Sequence, residues 1–296
     1  MAAFADRFWS TDDGLRLHAR DYAGGGEGRP PILCIPGLTR NARDFEELAA
    51  RLAPAWRVIA VDLRGRGESA AAKDAASYVP ETYVRDLLAL FDEMALPRVV
   101  VFGTSLGGIL AMLLAGEGRV AAALLNDVGP EIEAPGLHRI RAQAGRSGAW
   151  PTWMHAARAL AEAQGDIHPD WVFADWLAMA KRVYRLNSAG RIVLDYDLRI
   201  AEPLRAAPEG PMPDLWGALS ALVGMPVAVV RGARSDVLSA QVAARMVAAL
   251  PGADLVTIPR TGHAPTLAEP EAVAAIDRLL ARVAERRRSP SPTMPF

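Results

Sequence analysis

Residues 99–108 have the sequence VVVFGTSLGG, and this stretch decides the fold that we predict for the whole chain. Its apolar, β-branched first half is typical of a buried strand, and the Ala/Leu/Met-rich residues 109–115 that follow are typical of a buried helix. Between them, Gly103, Ser105 and Gly107 have the spacing of a nucleophile elbow, a tight turn from strand to helix that exposes a serine. Larger side chains at the two glycines would collide with neighbouring backbone. An ordinary strand–turn–helix junction with an incidental serine is the alternative.

Length and composition restrict the class of protein. The chain has 296 residues, of which 51% are apolar, and its formal net charge is −1, so we expect one large α/β domain with room for an insertion. The charge gives no electrostatic argument for binding nucleic acid or a membrane. The single cysteine, Cys34, excludes an intrachain disulfide, and the five histidines lack metal-ligand spacing, so we expect neither metal nor cofactor. The first residues lack the apolar region of a secretory signal, and a cytoplasmic protein is the expectation.

Apolar strands alternate with helices along most of the chain, which predicts a mostly parallel sheet covered by helices on both faces. An Asp-Asp-Gly sequence at residues 12–14 predicts an antiparallel hairpin at one edge of that sheet. Besides the elbow, the pattern predicts strands at residues 31–35, 57–61, 121–125, 226–230 and 255–258, and helices at residues 41–52, 81–95, 240–250 and 270–284.

Residues 129–222 interrupt this alternation. They contain no clear strand and hold five of the seven tryptophans, at positions 150, 153, 171, 176 and 216. We predict a helical cap inserted over the carboxyl edge of the sheet, because the alternation resumes directly afterwards; a separate helical domain is the alternative. The predicted organisation is a core of residues 1–128 and 223–285, a cap of residues 129–222 and a disordered tail of residues 286–296. The candidate substrate-binding residues of the cap are Trp150, Trp153 and Trp176.

A serine hydroxyl needs a base to become a nucleophile, and the base needs an acid to orient it. In an α/β sheet, both are expected in loops at the carboxyl ends of strands. His263 lies in such a loop, PRTGHAP at residues 259–265, and Asp236 follows the strand predicted at 226–230. Ser105, Asp236 and His263 also have the chain order expected with this elbow. We therefore predict them as the catalytic triad.

Two other aspartates end strands and compete with Asp236. Asp127 follows the strand at 121–125, and it is the alternative acid. Asp62 is followed by Arg64 and Arg66, which favours a salt-bridged loop over a catalytic role.

The negative oxygen that forms when a serine attacks a carbonyl needs preorganised hydrogen-bond donors. The backbone N–H of Leu106, directly after the nucleophile, is the first candidate. The second is the backbone N–H of Leu38, because Pro36-Gly37 lets the loop after the strand at 31–35 turn sharply.

Taken together, these motifs resemble those of the α/β-hydrolase superfamily. They are CIPG at residues 34–37, DLRGRGES at 62–69, GTSLGG at 103–108, GARSD at 232–236 and GH at 262–263, all in the family's order. The resemblance covers residues 30–285 and implies an eight-stranded sheet with a helical cap after the sixth strand. The loop with Pro36-Gly37 departs from the family, because many members have His-Gly there and this chain lacks that buttressing side chain.

The function that follows is hydrolysis of a small or medium carboxylic ester through an acyl-enzyme, with a small molecule as the partner. A C–C bond hydrolase or a lactonase of aromatic-compound breakdown is the alternative enzyme, since the superfamily uses the same residues for those reactions. A ligand-binding protein on a hydrolase scaffold is the alternative from another class. The oligomeric state, including a homodimer, is left open.

Overall fold

The computed structural model describes residues 2–25, 28–206 and 214–288. Its strands are β1 (Ala5–Ser10), β2 (Arg16–Tyr22), β3 (Ile32–Ile35), β4 (Val58–Asp62), β5 (Val99–Thr104), β6 (Val120–Asn126), β7 (Ala149–Trp150), β8 (Tyr184–Leu186), β9 (Ile192–Leu194), β10 (Val227–Gly232) and β11 (Asp254–Ile258). Its α-helices are α1 (Glu46–Leu52), α2 (Pro80–Glu93), α3 (Leu106–Gly116), α4 (Ala134–Gln143), α5 (Trp153–Gln164), α6 (Phe173–Val183), α7 (Glu202–Ala206), α8 (Trp216–Ser220), α9 (Ala240–Ala249) and α10 (Pro270–Arg288). Short 3-10 helices occupy Ala42–Phe45, Ala75–Ser77 and Leu198–Ala201.

Eight strands form one sheet in the order β1-β2-β4-β3-β5-β6-β10-β11. β2 pairs antiparallel with β1 and β4, and the remaining neighbours are parallel. The expected mostly parallel, eight-stranded sheet is therefore confirmed. The hairpin between β1 and β2 is confirmed as well, with Gly14 at a positive φ of 78° that favours glycine.

Helices cover both faces of the sheet, as β5 shows. Side chains of a strand point alternately to its two faces. Val99 and Val101 belong to the hydrophobic cluster on one face, and Val100 and Phe102 to the cluster on the other. All four are fully buried, so the strand has no polar face. This is why its sequence is a continuous apolar run rather than an alternating one.

The turn from β5 to α3 is as tight as the sequence predicts. A Cβ atom placed on Gly103 would lie 2.2 Å from the carbonyl oxygen of Gly107, and one on Gly107 would lie 2.0 Å from that of Ile35. Real Cβ atoms do not approach backbone so closely. The two glycines therefore let α3 start against β5 and β3, which fixes where Ser105 lies.

The segment between β6 and β10 differs in part from the prediction. It contains helices α4 to α8, of which α5 and α6 pack against each other around buried Trp176 and Met179. The prediction that it contains no clear strand is wrong, because β7, β9 and β8 form a small antiparallel sheet. These strands have two or three residues each, too few for an alternating pattern to stand out in the sequence.

Asp62 does not pair with the arginines that follow it. Its carboxylate lies 2.7 Å from Nδ1 of His18 and accepts a hydrogen bond from the backbone N–H of Ala42. Arg64 instead forms an ion pair with Asp86. The loop is held by charged side chains as expected, but by different pairs.

The C-terminal helix α10 continues to Arg288, so the first three residues of the predicted disordered tail are helical. The rest of that tail, residues 289–296, lies outside the described residues, as do Gly26, Glu27 and residues 207–213. Within the described ranges, no helix combines the length and the apolar character needed to cross a membrane.

Replacing Gly103 or Gly107 by alanine is expected to lower the free energy of unfolding by about 1–3 kcal/mol, because each new methyl group would overlap backbone that cannot move freely. Chemical denaturation measures this difference. Gly116→Ala is the matched control, since a Cβ there meets nothing within 4 Å at the other end of the same helix. A loss of stability for Gly116→Ala equal to that of the other two would show that the close approach is not the cause.

Candidate active site

Ser105, His263 and Asp127 meet at the carboxyl edge of the sheet. They follow β5, β11 and β6, respectively. The Ser105 Oγ lies 3.0 Å from His263 Nε2, and His263 Nδ1 lies 2.8 Å from Asp127 Oδ2. With Nδ1 protonated, the imidazole donates to the carboxylate and accepts the serine proton at Nε2. The arrangement forms the hydrogen-bonded chain by which a base activates a serine.

The backbone at Ser105 is strained, as the elbow requires. Its φ is 53° and its ψ is −116°, a conformation that side chains other than glycine rarely adopt. The Ser105 N–H donates to the carbonyl oxygen of Asn126, which joins the turn to the end of β6. Ser105 directly precedes α3, so its hydroxyl lies beside the positive end of a helix dipole.

His263 is held in a loop whose backbone is anchored to the same edge. The side-chain amide of buried Asn126 donates to the carbonyl oxygen of Pro265 at 2.9 Å and to the Thr104 hydroxyl at 3.1 Å. The His263 side chain is only 9% exposed. One buried amide thus ties the loop that carries the histidine to the strand that precedes the serine.

The Asp127 carboxylate is completely buried and well supplied with donors. Its Oδ1 accepts from the backbone N–H of Gly232 at 2.8 Å, and its Oδ2 accepts from the Ser235 hydroxyl at 2.7 Å as well as from His263. A buried carboxylate needs such partners, because burial removes its hydration. Asp127 has a positive φ of 55°, which turns its side chain toward the loop after β10.

Asp236 is not the partner of His263, so the prediction that Asp236 orients this histidine is wrong. Both carboxylate oxygens of Asp236 accept from Arg139 on α4, at 2.7 Å each. The Arg139 guanidinium is the main cause that lowers the pKa of Asp236 below its usual range. The loop after β10 instead turns Ser235 toward Asp127.

The wrong choice has a physical explanation. Asp127 and Asp236 both follow parallel strands, so the strand-end rule places both near the serine and cannot separate them. What separates them is Arg139, which is 97 positions from Asp236 in sequence and on a different element. The positive φ of Asp127, which aims its side chain, leaves no signature in the sequence either.

The two predicted backbone donors are placed beside the serine. Leu106 is the first residue of α3, and its N–H is one of those that an α-helix leaves without an intrahelical acceptor. Leu38 follows Gly37, on which a Cβ would lie 3.7 Å from the Ser105 Cβ. The Leu38 carbonyl oxygen accepts from the buried Arg66 guanidinium at 2.9 Å, which pins the loop. Their role as an oxyanion hole stays a prediction.

A cavity of about 440 Å³ lies above the serine, and Ser105 and His263 are part of its wall. Of the three predicted substrate-binding tryptophans, Trp150 lines it. Trp153 and Trp176 do not, which corrects the prediction for these two residues. They pack in the apolar cluster of α5 and α6, where Trp176 is 4% exposed. The sequence places these rings in the segment, but the direction of each side chain depends on tertiary packing: Trp150 is on β7, whereas Trp153 and Trp176 are on α5 and α6.

His168 also lines the cavity, although sequence reasoning gave it no role. Its ring stacks on that of Trp171 with centroids 3.9 Å apart and an angle of 4°. Burial and the nearby positive charge of Arg40 lower the pKa of His168 to about 4. The imidazole is therefore neutral at physiological pH, and it adds a polar but uncharged group to the wall.

The lowered pKa of His168 predicts a pH-dependent contribution to stability. Below its ordinary pKa of 6.5, the unfolded chain binds a proton that the folded protein does not take up until about pH 4. The contribution is complete above pH 6.5 and is lost as the pH falls toward 4, at up to about 1.4 kcal/mol for each pH unit. Between pH 7 and pH 5, the free energy of unfolding measured with denaturant should fall more for the wild type than for His168→Gln. Parallel curves for both proteins would contradict the burial of a neutral imidazole.

Comparisons with known proteins agree with this geometry. A family model described as the α/β hydrolase family matches residues 32–276. A 3-hydroxybutyrate-oligomer hydrolase of Cupriavidus necator is 34% identical over 268 residues, which cover 87% of this chain and 91% of that protein. A 2-(acetamidomethylene)succinate hydrolase of Mesorhizobium japonicum is 27% identical over 260 residues, covering 87% and 88%. The crystal structure of an α/β hydrolase from Novosphingobium aromaticivorans superposes with a TM-score of 0.91 at 56% identity, covering 95% of this chain and 99% of that one. This chain belongs to the α/β-hydrolase family.

Proposed function

We propose that this hydrolase cleaves small carboxylic esters through an acyl-enzyme on Ser105, with His263 as the base and Asp127 as the acid that orients it. The observation that carries the proposal is the hydrogen-bonded chain from Ser105 Oγ through His263 to the buried Asp127 carboxylate. Ser105 itself lines a cavity of about 440 Å³.

In the first half of the proposed reaction, His263 Nε2 takes the hydroxyl proton while Ser105 Oγ attacks the ester carbonyl carbon. The carbonyl oxygen becomes negative and accepts hydrogen bonds from the N–H groups of Leu38 and Leu106. The bond to the leaving alcohol then breaks, and the imidazolium returns its proton to that alcohol. Asp127 stabilises the imidazolium between these two transfers.

In the second half, water replaces the alcohol. His263 takes a proton from the water, whose oxygen attacks the acyl carbon, and the acid leaves as the Ser105 oxygen regains its proton. Atoms balance as ester plus water giving acid plus alcohol. The positive end of the α3 dipole favours the negative oxygen in both halves.

The size and lining of the cavity support a short substrate. Trp150 and Tyr184 line it with ring centroids 4.6 Å apart, which provides an apolar surface for a short acyl chain. The relative in Cupriavidus necator is named for hydrolysis of 3-hydroxybutyrate oligomers, in which short hydroxy acids are joined by ester bonds. We propose esters of short hydroxy acids as the substrate class of this chain.

The central test compares the two aspartates on a neutral ester such as 4-nitrophenyl butyrate. Asp127→Asn should lower kcat by about 10³–10⁴, because it loses the charge that orients and stabilises the imidazolium. Asp236→Asn should change kcat by less than about tenfold, since its carboxylate lies on Arg139. Ser105→Ala gives the background, which should lie about 10⁴–10⁶ below the wild type.

Circular dichroism and melting temperatures establish that each variant is folded. If both variants are folded and Asp236→Asn has the lower kcat, Asp236 in the loop after β10 would be the acid instead of Asp127. A Ser105→Ala protein with more than about a tenth of the wild-type rate would overturn the proposed mechanism altogether.

A further inference from the structure

The wall of the cavity is rich in arginine. Among the described residues, its charged side chains apart from the histidines are one aspartate and four arginines: Asp44, Arg40, Arg139, Arg146 and Arg182. Arginine is the side chain that suits planar anions, because its guanidinium presents several N–H donors in a fixed geometry. An apolar ester needs no such group near it, so the partner that each of these arginines binds is informative.

Three of the four arginines are neutralised by the protein itself. Arg40 donates to both oxygens of Asp44, at 2.6 and 2.8 Å, and Arg139 does the same to Asp236. Arg182 forms an ion pair with Glu47 on α1. These three guanidinium groups are at most 28% exposed, and their carboxylates hold them in place. They shape the wall without adding net charge to it.

Arg146 is different. It lies in the loop between α4 and β7, it lines the cavity, and it is exposed. Its only hydrogen bond in the described part of the chain is from its backbone N–H to Gln143, and no carboxylate there pairs with its guanidinium. The cavity therefore has one guanidinium that the described protein leaves free to bind something else.

We propose that the substrate carries a free carboxylate and that Arg146 binds it while the ester lies at Ser105. This inference rests on the proposed function and specifies its substrate. One unpaired guanidinium matches a single negative charge, whereas a phosphate monoester carries about −1.5 to −2 at neutral pH. An arginine–carboxylate hydrogen bond is charge-assisted and of fixed geometry, so it selects for substrates that have the group and orients them.

The test uses two forms of the linear 3-hydroxybutyrate dimer, which have the same internal ester bond. One has its free carboxylate, and the other has that group capped as a primary amide of nearly the same shape. The measured quantity is the ratio of kcat/KM for the acid to kcat/KM for the amide. Arg146→Gln should lower this ratio by about tenfold, equal to about 1.4 kcal/mol. Arg146→Lys keeps the charge and should stay within about threefold of the wild type.

Arg158→Gln is the matched control. Arg158 is an exposed cap arginine on α5 that does not line the cavity, so its removal changes the net charge equally and should leave the ratio unchanged. An Arg146→Gln ratio equal to that of the wild type would overturn the inference. So would an equal fall in Arg158→Gln, because it would show an effect of net charge rather than of position.

A binding measurement separates this inference from the proposed function. In the Ser105→Ala background, calorimetry should show about tenfold tighter binding of the acid than of the amide, and Arg146→Gln should remove that difference. Equal affinities for the two compounds in Ser105→Ala would overturn the inference even if both are hydrolysed by the wild type. If the wild type hydrolyses neither, the proposed function fails, and the affinity difference still decides the role of Arg146.

Discussion

One buried carboxylate, that of Asp127, joins the parts of the chain on which the site depends. It accepts hydrogen bonds from the N–H of Gly232 at the end of β10, from the hydroxyl of Ser235 in the loop after β10, and from His263 in the loop after β11. Burying a charge is costly unless hydrogen bonds replace its hydration. The same three contacts that satisfy the carboxylate therefore also fix the relative positions of the loops after β6, β10 and β11.

The second constraint is steric and concerns the turn after β5, the strand that neighbours β6. Ser105 and Asp127 both have positive φ, and they follow β5 and β6, which are neighbours in the sheet. The Ser105 N–H donates to Asn126, and the Asn126 side chain holds Pro265 in the histidine loop. The backbone carbonyl and the side-chain amide of Asn126 thus position the serine turn and the histidine loop at the same sheet edge. Gly103 and Gly107 leave room for α3 to start there.

The features that could be predicted from sequence are those with a local cause. The elbow could be predicted because only glycine fits at positions 103 and 107. His263 could be predicted because it lies in a glycine-flanked loop at the end of a strand. Asp127 and Asp236 satisfy the same local rule, and only the distant Arg139 separates them. Trp150, on β7, lines the cavity, while Trp176 is buried in the cluster formed by α5 and α6, and both directions depend on tertiary packing that no local pattern in the sequence encodes. The short strands β7 to β9 have too few residues to give a pattern.

The central claim is that Ser105 is an activated nucleophile, and covalent labelling tests it without any knowledge of the substrate. An alkyl fluorophosphonate is added to the wild type and to Ser105→Ala, and intact mass followed by peptide mapping locates the adduct. The account predicts one adduct on the wild type, located on Ser105, and none on the variant. An unlabelled wild type, or an adduct that persists in Ser105→Ala, would contradict it.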